Sequence, residues 1–334
     1  MSTPGSARAS SPAGILVVRL GSMGDVIHTL PAVATLKHSF PGSSLTWLIE
    51  PKWACLLEGN PFVDAVIVLD RRTLAGIGHA WRQLRLRHFR FAVDFQGLFK
   101  SALAASVARA DRIYGFHQSQ AREPVAALFY SNRVRTESAH VVDRNLELAS
   151  AAGASAVVRA FPLPEGIPEG KLPEGDFILA SPLAGWPAKQ WPLEHYSALA
   201  GLLRRLGLPL VLNGPMGAAP LLTGIQGTVV HVSGLPGLIH ATRRASAVVG
   251  IDSGPLHLAA ALAKPGVAVF GPTDPERNGP YCKSFAVLRD PRAVTSYKRT
   301  VHADPCMRAI RPETVFEALE EKLAGRSRSA DQIA

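Results

Sequence analysis

Residues 15–31 read ILVVRLGSMGDVIHTLP, an apolar run followed by two glycines and a helical pattern. The run Ile15–Leu20 predicts a strand of a parallel sheet, because such strands are buried on both faces and are apolar throughout. Gly21 and Gly24 allow a tight turn that a ligand can approach closely, and residues Asp25–Ser39 have the spacing of a helix. A strand, a turn and a helix in this order are typical of an α/β protein.

The same alternation of strand and helix patterns continues along the rest of the chain, both before and after a proline-rich segment at Phe161–Gly175. Further strands are predicted at Leu45–Glu50, Ala65–Asp70, Phe91–Phe95, Arg112–Gly115, Phe177–Ala180, Pro209–Leu212, Val229–Val232, Ala247–Ile251 and Gly266–Phe270. Helices are predicted near Thr73–His88 and at Leu98–Arg109, Val141–Ala152, Leu193–Leu206, Leu235–Ala245, Pro255–Ala263 and Pro312–Leu323. We therefore predict two Rossmann-like domains with a cleft between them, because ligands of such folds bind at the carboxyl ends of the strands.

The expected domain boundaries follow the proline-rich segment and the two termini. They are a disordered extension at 1–13, a first domain at 14–165, a linker at 166–176, a second domain at 177–325 and a flexible tail at 326–334. A segment with several prolines and no apolar period predicts a semi-rigid linker.

The formal charge of +10 favours a polyanionic partner such as an anionic membrane, a phosphorylated substrate or nucleic acid. The clearest basic cluster, with no acid inside it, consists of Arg71, Arg72, His79, Arg82, Arg85, Arg87, His88 and Arg90. A solvated helix face explains such a cluster equally well. Nucleic acid is the less favoured partner, because the basic residues do not interleave with exposed aromatic ones.

The hydropathy and the cysteine content of the chain predict the compartment in which it is found. No run approaches the ~20 apolar residues that span a bilayer, and residues 1–13 lack the apolar core of a signal peptide. Cys55, Cys282 and Cys306 have no CxxC spacing, which argues against disulfides and against a zinc site. We therefore expect a cytoplasmic protein.

The turn after the first strand contains a candidate general base. A carboxylate at Asp25 would lie in the first turn of a helix, where the helix dipole favours its ionised form. An ionised carboxylate at the mouth of a cleft can accept a proton from a sugar hydroxyl. We assign Ser22 and Gly24 to the acceptor side of this turn. The alternative is structural, because Ser22 and Asp25 also have the spacing of a capping box.

Three turns in the second half are candidates for binding a diphosphate. Asp252-Ser253-Gly254-Pro255-Leu256-His257 follows a strand, and the helix that begins there would present backbone N–H groups to an anion. The turn with Gly271 and Thr273 follows the next strand and should lie beside it. Lys189, after the first strand of this half, could reach a phosphate. The alternatives are ordinary caps and solvated loops.

Two polar loops of the first half are candidates for the acceptor side. Asp94 and Gln96 follow a predicted strand, and Arg122 lies in the segment Gln120–Pro124. Turn and cap roles explain each of them equally well when they are taken singly.

Several functions are disfavoured by missing motifs. The chain has no G-x-G-x-x-G dinucleotide fingerprint and no Walker loop, so we predict no nicotinamide or other cofactor. It also has no paired Asp-x-Asp loop that would hold a divalent ion. We therefore predict chemistry without a metal.

The motifs together resemble the bacterial lipopolysaccharide heptosyltransferases of glycosyltransferase family 9, and within them the heptosyltransferase I branch most. The resemblance extends from Ile15 to about Leu323. It is carried, in this order, by Ser22–Pro31, Asp94–Leu98, Ala121–Pro124, Asp252–His257 and Phe270–Pro275.

The resemblance implies a glycosyltransferase-B fold with the acceptor domain first and the nucleotide-sugar domain second. It implies ADP-heptose as donor, a Kdo sugar of Kdo-lipid A as acceptor, and peripheral association with the anionic inner membrane. By the same resemblance, Asp25 is the base of an inverting transfer. The donor would contact Lys189, Asp252, Ser253, Gly254, His257, Gly271 and Thr273, and the acid groups of the acceptor would contact Arg71, Arg72 and Arg122. A heptosyltransferase II-like enzyme or another nucleotide-sugar transferase of the family remains an alternative.

Overall fold

The structure, a computed structural model, describes residues 14–296 and 302–331, with side chains of the last helix described as far as Ala324. The extension predicted at 1–13 lies outside these residues. No described helix is long and apolar enough to cross a bilayer.

The first half of the chain forms one sheet with helices around it. Its elements are β1 (Gly14–Val18), α1 (Met23–Ser39), β2 (Leu45–Ile49), β3 (Ala65–Val68), α2 (Leu74–Arg85), β4 (His88–Asp94), α3 (Phe99–Val107), β5 (Arg109–Ala110), β6 (Ile113–Phe116), β7 (Asn132–Val134) and α4 (Val141–Ala151). The strand order is β3-β2-β1-β4-β6-β7, with β5 paired to β4 off this path. All of these pairings are parallel, which fits the fully buried, apolar strands β1 and β2.

The second half repeats this architecture. Its elements are β8 (Ile178–Ala180), α5 (Leu193–Arg204), β9 (Leu210–Gly214), α6 (Ala219–Thr223), β10 (Val229–Val232), α7 (Leu235–Arg244), β11 (Ala247–Ile251), α8 (Gly254–Ala261), β12 (Gly266–Phe270), α9 (Pro275–Asn278), β13 (Phe285–Arg289), α10 (Pro305–Ala309) and α11 (Pro312–Asp331). The parallel strands follow the order β10-β9-β8-β11-β12-β13. The predicted α/β class with parallel sheets is confirmed.

The position of each candidate site follows from strand order. The order reverses between β1 and β4 in the first sheet and between β8 and β11 in the second. At such a switch point the loops that leave neighbouring strands diverge above and below the sheet, and a crevice opens at the carboxyl ends. The loops after β1, β4, β8 and β11 are therefore the ones that the fold presents to a ligand.

The chain folds into two compact units, neither of which is continuous in sequence. The first contains residues 14–21, Thr29–Ser138 and Val142–Pro162; the second contains Ser22–His28, Ala139–Val141 and the chain from Leu163 onward. The first turns of α1 thus belong to the second unit, and the rest of α1 belongs to the first.

The proline-rich segment is fixed along its length to α7 and its neighbours. Arg243 donates from Nη2 to the carbonyl of Leu163 at 2.8 Å and from Nε to that of Pro164 at 3.0 Å. Glu169 accepts from the backbone N–H of Gly234 at 2.6 Å, and its own carbonyl lies 2.7 Å from His231 Nε2. These contacts give the segment an anchored path over the second unit.

Most predicted elements are present, with ends that differ by a few residues. Strands β10, β11 and β12 have the predicted bounds. Strands β5, β7 and β13 and the short helices α6, α9 and α10 were not predicted. Helix α11 continues to Asp331, beyond the predicted end at Leu323 and into the segment 326–334 that the sequence predicted as a tail.

Candidate functional site

An ion pair joins the loops that leave β8 and β11. Lys189 Nζ lies 2.6 Å from Asp252 Oδ2, although the two residues are 63 positions apart in sequence. Asp252 directly follows β11, and Lys189 ends a short 3-10 helix at Pro187–Lys189 in the loop after β8. The switch point of the second sheet thus brings together two residues that the sequence predicted for the donor site.

His257 completes this cluster from the first turn of α8. Its Nε2 lies 3.6 Å from Asp252 Oδ1, and its side chain is buried. Burial raises the pKa of the Asp252 carboxyl, but the His257 ring and the Lys189 ammonium outweigh it and hold that pKa well below its usual range. Asp252 is therefore an anion at neutral pH.

The start of α8 is not capped by a side chain. Ser253 occupies the N-cap position with an extended backbone and makes no side-chain cap hydrogen bond. Its hydroxyl is buried and has no hydrogen-bond partner among the residues that the structure describes. Because a helix start without a side-chain cap still offers N–H groups and a positive dipole end, the alternative that Ser253 is simply a cap does not hold here.

The first turn of α1 contains Asp25 in the predicted helix-start geometry. Asp25 Oδ2 accepts from the backbone N–H and from the hydroxyl of Ser22, both at 3.1 Å. The capping interaction is therefore present, and it holds a half-buried carboxylate next to the turn. Its role as the base stays a prediction.

Small residues let α1 and α8 approach each other within the second unit. A Cβ on Gly24 would clash with Cδ2 of the His257 ring, and a Cβ on Gly254 would lie 2.7 Å from Met23 Sδ. Both glycines are thus required by protein packing at their positions. The approach places Asp25 one residue from Gly24, whose backbone packs against the His257 ring.

Two further histidines lie beside the cluster and were not selected from the sequence. The His28 ring centroid is 4.2 Å from that of His257 and 5.8 Å from that of His140. His140 also lies with Nε2 3.1 Å from the carbonyl of Gly279. His28 is three residues after Asp25 and so on the same side of α1, a spacing that could have identified it.

The turn after β12 lies at the same sheet edge as Asp252, because β11 and β12 are parallel neighbours. Thr273 in this turn is buried, and Arg289 Nε donates to the carbonyl of Gly271 at 3.1 Å. A Cβ on Gly271 would lie 2.5 Å from Met307 Sδ, so close packing explains this glycine without a ligand. Contact of Gly271 and Thr273 with the donor stays a prediction.

The switch point of the first sheet is filled by a buried hydrogen-bond network. Asp94 accepts from the Tyr130 hydroxyl at 2.7 Å and from the Ser101 hydroxyl at 2.8 Å, and also from the backbone N–H groups of Gln96 and Gly97. Burial raises the pKa of the Asp94 carboxyl in spite of these donors. Gln96 Oε1 in turn accepts from Leu20 N at 2.7 Å.

These contacts bind the loop after β4 to the turn after β1. Asp94 and Gln96 are both buried within the first unit, so their geometry favours a role in positioning the turn. Direct contact between either side chain and the acceptor stays a prediction.

The three arginines predicted for the acceptor are exposed in the first unit. Arg71 Nη2 lies 2.5 Å from Glu50 Oε1, and Arg72 Nε lies 3.4 Å from Asp70 Oδ1. Both therefore have carboxylate neighbours with which an acidic ligand would compete. A Cβ added to Gly97 would lie 3.4 Å from the Cα of Ala121, the residue before Arg122. The loop that contains Arg122 therefore packs against the loop that contains Gln96.

The second unit therefore combines a lysine, an uncapped helix start and buried polar side chains at its switch point, an arrangement suited to a diphosphate. No group of three or more His, Cys, Asp or Glu side chains placed to hold a metal ion occurs in the described part of the chain. Burial and the neighbouring Asp304 raise the pKa of the Cys306 thiol to about 12, so this thiol is protonated at neutral pH.

Comparisons with known proteins find relatives of this chain in sequence and in fold. The profile of glycosyltransferase family 9 (heptosyltransferase) matches residues 77–305. Lipopolysaccharide heptosyltransferase 1 of Escherichia coli K12 is 31% identical over 306 residues, which cover 83% of this chain and 94% of that protein.

Solved structures show the same fold. The E. coli heptosyltransferase WaaC with ADP superposes with a TM-score of 0.75 at 27% identity, covering 92% of this chain and 99% of that one. The same enzyme with ADP-2-deoxy-2-fluoro heptose gives a TM-score of 0.73 over the same shares of the two chains.

Proposed function

The chain belongs to glycosyltransferase family 9, and from this membership we propose that it transfers heptose from ADP-heptose to a Kdo sugar of Kdo-lipid A during synthesis of the lipopolysaccharide inner core. The family makes it a glycosyltransferase with the glycosyltransferase-B fold. The observation that carries the choice of a diphosphate-bearing donor is the Lys189–Asp252 pair at the switch point of the second sheet. Relatives solved with ADP and with an ADP-heptose analogue support the same choice.

The donor diphosphate is proposed to bind between Lys189 and the start of α8. An arriving diphosphate would share the ammonium with Asp252, and the helix start would supply N–H groups and its dipole. The hydroxyl of Ser253 is a polar group without a partner in the described structure, and it can donate to a phosphate oxygen. His257, Gly254, Gly271 and Thr273 would shape the rest of this site.

The reaction is proposed to be a single inverting displacement. The acceptor hydroxyl oxygen attacks the anomeric carbon and transfers its proton to the Asp25 carboxylate. The bond from the anomeric carbon to the β-phosphate oxygen breaks on the opposite face, and ADP leaves with the electron pair. A diphosphate needs no acid partner when fixed positive groups meet its developing charge. Lys189 and the α8 start serve this purpose, which is why we propose that no metal is needed.

The acceptor is proposed to bind through the exposed arginines of the first unit. Kdo and lipid A carry carboxylate and phosphate groups, which guanidinium groups bind with two parallel hydrogen bonds. Arg71, Arg72 and Arg122 would make these contacts, and the turn of Ser22 and Gly24 would receive the reacting hydroxyl. A lipid acceptor also implies a cytoplasmic enzyme that works at the anionic surface of the inner membrane.

Nucleotide release from a panel of substrates tests this assignment. We expect purified protein with Kdo-lipid A to release ADP from ADP-heptose, to release no UDP from UDP-sugars, and to be fully active in EDTA. Transfer only to an acceptor that already carries heptose would favour the heptosyltransferase II alternative. Release of UDP would replace the donor assignment, and a strict metal requirement would contradict the leaving-group argument.

Two substitutions separate the base from the donor site. Asp25→Asn keeps an oxygen that can accept from Ser22, so we expect turnover to fall by about 10²–10⁴ with ADP-heptose affinity nearly unchanged. Lys189→Met should weaken donor binding about tenfold or more and leave the pH profile of turnover in place. Turnover by Asp25→Asn within a few-fold of the unchanged chain would remove Asp25 from its role.

A further inference from the structure

The His257 ring has a polar neighbour at one nitrogen and none at the other. Its Nε2 lies 3.6 Å from Asp252 Oδ1, and the adjacent ring atom Cδ2 faces Gly24, where an added Cβ would clash with it. The opposite edge of the ring contains Nδ1, which is buried and has no hydrogen-bond partner among the residues that the structure describes. A hydrogen bond at the second nitrogen ordinarily helps to orient a functional histidine. Here the orientation of the ring depends on packing instead.

His28 supplies this packing from α1. The centroids of the His28 and His257 rings are 4.2 Å apart, and the two ring planes are tilted by 60°. Aromatic pairs usually begin at a separation of about 4.5 Å, so these two rings are in close contact. The side chains are only 4% and 6% exposed. The His257 ring therefore has no room to turn toward α1 while His28 keeps its place.

His28 is held in turn by His140. The centroids of these two rings are 5.8 Å apart and their planes are nearly perpendicular, at 76°. His140 Nε2 donates to the carbonyl of Gly279 at 3.1 Å. All of these residues belong to the second unit. His28 is thus the middle ring of a row of three histidines that ends at the candidate donor site.

The same contacts link His28 to the group that would meet a phosphate. His257 faces Asp252, and Asp252 pairs with Lys189 at 2.6 Å. If the His257 ring turned, Asp252 would lose one of its two positive or N–H-bearing neighbours, and its carboxylate would compete more strongly for the Lys189 ammonium. A diphosphate is bound best by donors whose positions are fixed before it arrives. The packing of His28 should therefore contribute to the affinity for the donor.

We propose that His28 is a positioning residue of the donor site, whose ring holds the His257 imidazole with Nε2 toward Asp252 and so keeps Lys189 arranged for a diphosphate. This inference rests on the proposed function, which places the donor diphosphate at these residues. His28 needs no contact of its own with either substrate. It also lies three residues after Asp25, the proposed base, and a role exerted through Asp25 would give different kinetics.

Steady-state kinetics of His28→Leu and His28→Phe test the inference. Leucine keeps the apolar burial and loses the planar ring, so we expect the KM for ADP-heptose and the Kd for ADP to rise about tenfold, with kcat within about threefold. Phenylalanine keeps a planar ring and should bring both constants back to within about threefold of the unchanged chain. A fall in kcat with an unchanged KM for ADP-heptose would overturn the inference, because His28 would then act through Asp25. Equal losses of donor affinity in the two variants would overturn it as well.

The matched control is His195→Leu. It removes a histidine ring that contacts Trp191, in the same unit, with a centroid separation of 5.1 Å. We expect the KM for ADP-heptose to stay unchanged in this variant. A rise equal to that of His28→Leu would show that the loss of any such ring weakens donor binding, and would contradict a specific role for His28.

A double-mutant cycle separates positioning from a general loss of fold. In a His257→Ala background the ring that His28 packs against is absent, so adding His28→Leu should raise the Kd for ADP by less than about twofold. A tenfold rise in both backgrounds would overturn the inference, and thermal unfolding shows that each variant is folded in the assay. If the unchanged chain does not bind ADP, the proposed function fails and the inference with it. If it binds ADP and His28→Leu binds equally well, the inference alone fails.

Discussion

Two buried tyrosines differ in whether the hydroxyl group has a hydrogen-bond partner. The Tyr130 hydroxyl donates to the buried carboxylate of Asp94 at 2.7 Å. The Tyr196 hydroxyl is buried as well, in the core of the second unit, and has no hydrogen-bond partner among the described residues. Removal of the hydroxyl oxygen should therefore change the free energy of unfolding differently at the two positions. At Tyr130 a buried carboxyl group loses a hydrogen bond, whereas at Tyr196 the cost of burying an unpaired hydroxyl is removed.

We expect Tyr130→Phe to lower the free energy of unfolding by about 1–3 kcal/mol, since a buried carboxylate loses a donor. Tyr196→Phe should be neutral or stabilising by up to about 1 kcal/mol, because an unpaired polar group leaves the core. Urea unfolding of both variants measures the difference. Equal destabilisation by the two substitutions would contradict the assignment of the Asp94 network.

The Asp252 carboxylate should make stability depend on pH. Its pKa in the folded chain lies below the ordinary value of 3.8, so the unfolded chain binds its proton more tightly. The ion pair with Lys189 therefore stabilises the fold above about pH 4, and this contribution is lost as the pH falls toward the folded pKa.

The corresponding variant is Asp252→Asn. We expect it to be less stable than the unchanged chain by about 3 kcal/mol at neutral pH, because Lys189 loses its partner. The difference should shrink as the pH is lowered below about 4. Urea unfolding at a series of pH values measures it, and a difference that is constant from neutral to acid pH would contradict the ionised state of Asp252.

Among the helices, the approach of α1 to α8 depends on Gly24. Alanine normally stabilises a helix relative to glycine by about 0.5–1 kcal/mol, but at this position a Cβ would clash with the His257 ring. Gly201 in α5 has nothing within 4 Å of an added Cβ, and so provides the same substitution without the clash.

We expect Gly24→Ala to destabilise the fold by about 1–3 kcal/mol through overpacking and to weaken donor binding by displacing His257. Gly201→Ala should stabilise by about 0.5–1 kcal/mol with unchanged donor binding. Thermal unfolding and ADP titration of the two variants give both quantities. A Gly24→Ala variant that is as stable as Gly201→Ala would show that the two helices do not depend on this contact.

The sequence predicted the strands that are apolar runs better than the short polar ones. Strands β10, β11 and β12 were predicted with their observed bounds, because each is a short apolar run between turn residues. Strand β7, of sequence NRV, was missed. A short strand at the edge of a sheet needs no continuous apolar run, so its periodicity does not distinguish it from a loop.

The candidate site was predictable in its chemistry and less so in its contacts. The residue types and their positions after strands identified Lys189, Asp252 and Asp25 as candidates. Nothing in the sequence states that Lys189 pairs with Asp252 across 63 positions, or that Asp94 is enclosed by Tyr130, 36 positions away. Such contacts depend on strand order, and a pattern read along the chain does not determine that order.

For the chain as a whole, the division into two units predicts which backbone amides bound ADP protects from hydrogen exchange. At about 100 times its Kd, ADP should raise the free energy of unfolding by about 2.7 kcal/mol if it binds only the folded chain. Hydrogen exchange should slow mainly in the loops after β8 and β11 and in Ser22–His28, which belong to the same unit. The amides of β2 should be unaffected. Equal protection of β2 would contradict a donor site in the second unit.

The assignment of Ser22–His28 and Ala139–Val141 to the second unit constrains recombination between relatives. A chimera joined at the boundary of the two units, between Pro162 and Leu163, would pair the first turn of α1 from one parent with α8 from the other. Met23 would then meet a foreign residue in place of Gly254, and Gly24 a foreign residue in place of His257. Functional exchange of halves between family members therefore requires these short segments to be transplanted together with the C-terminal half.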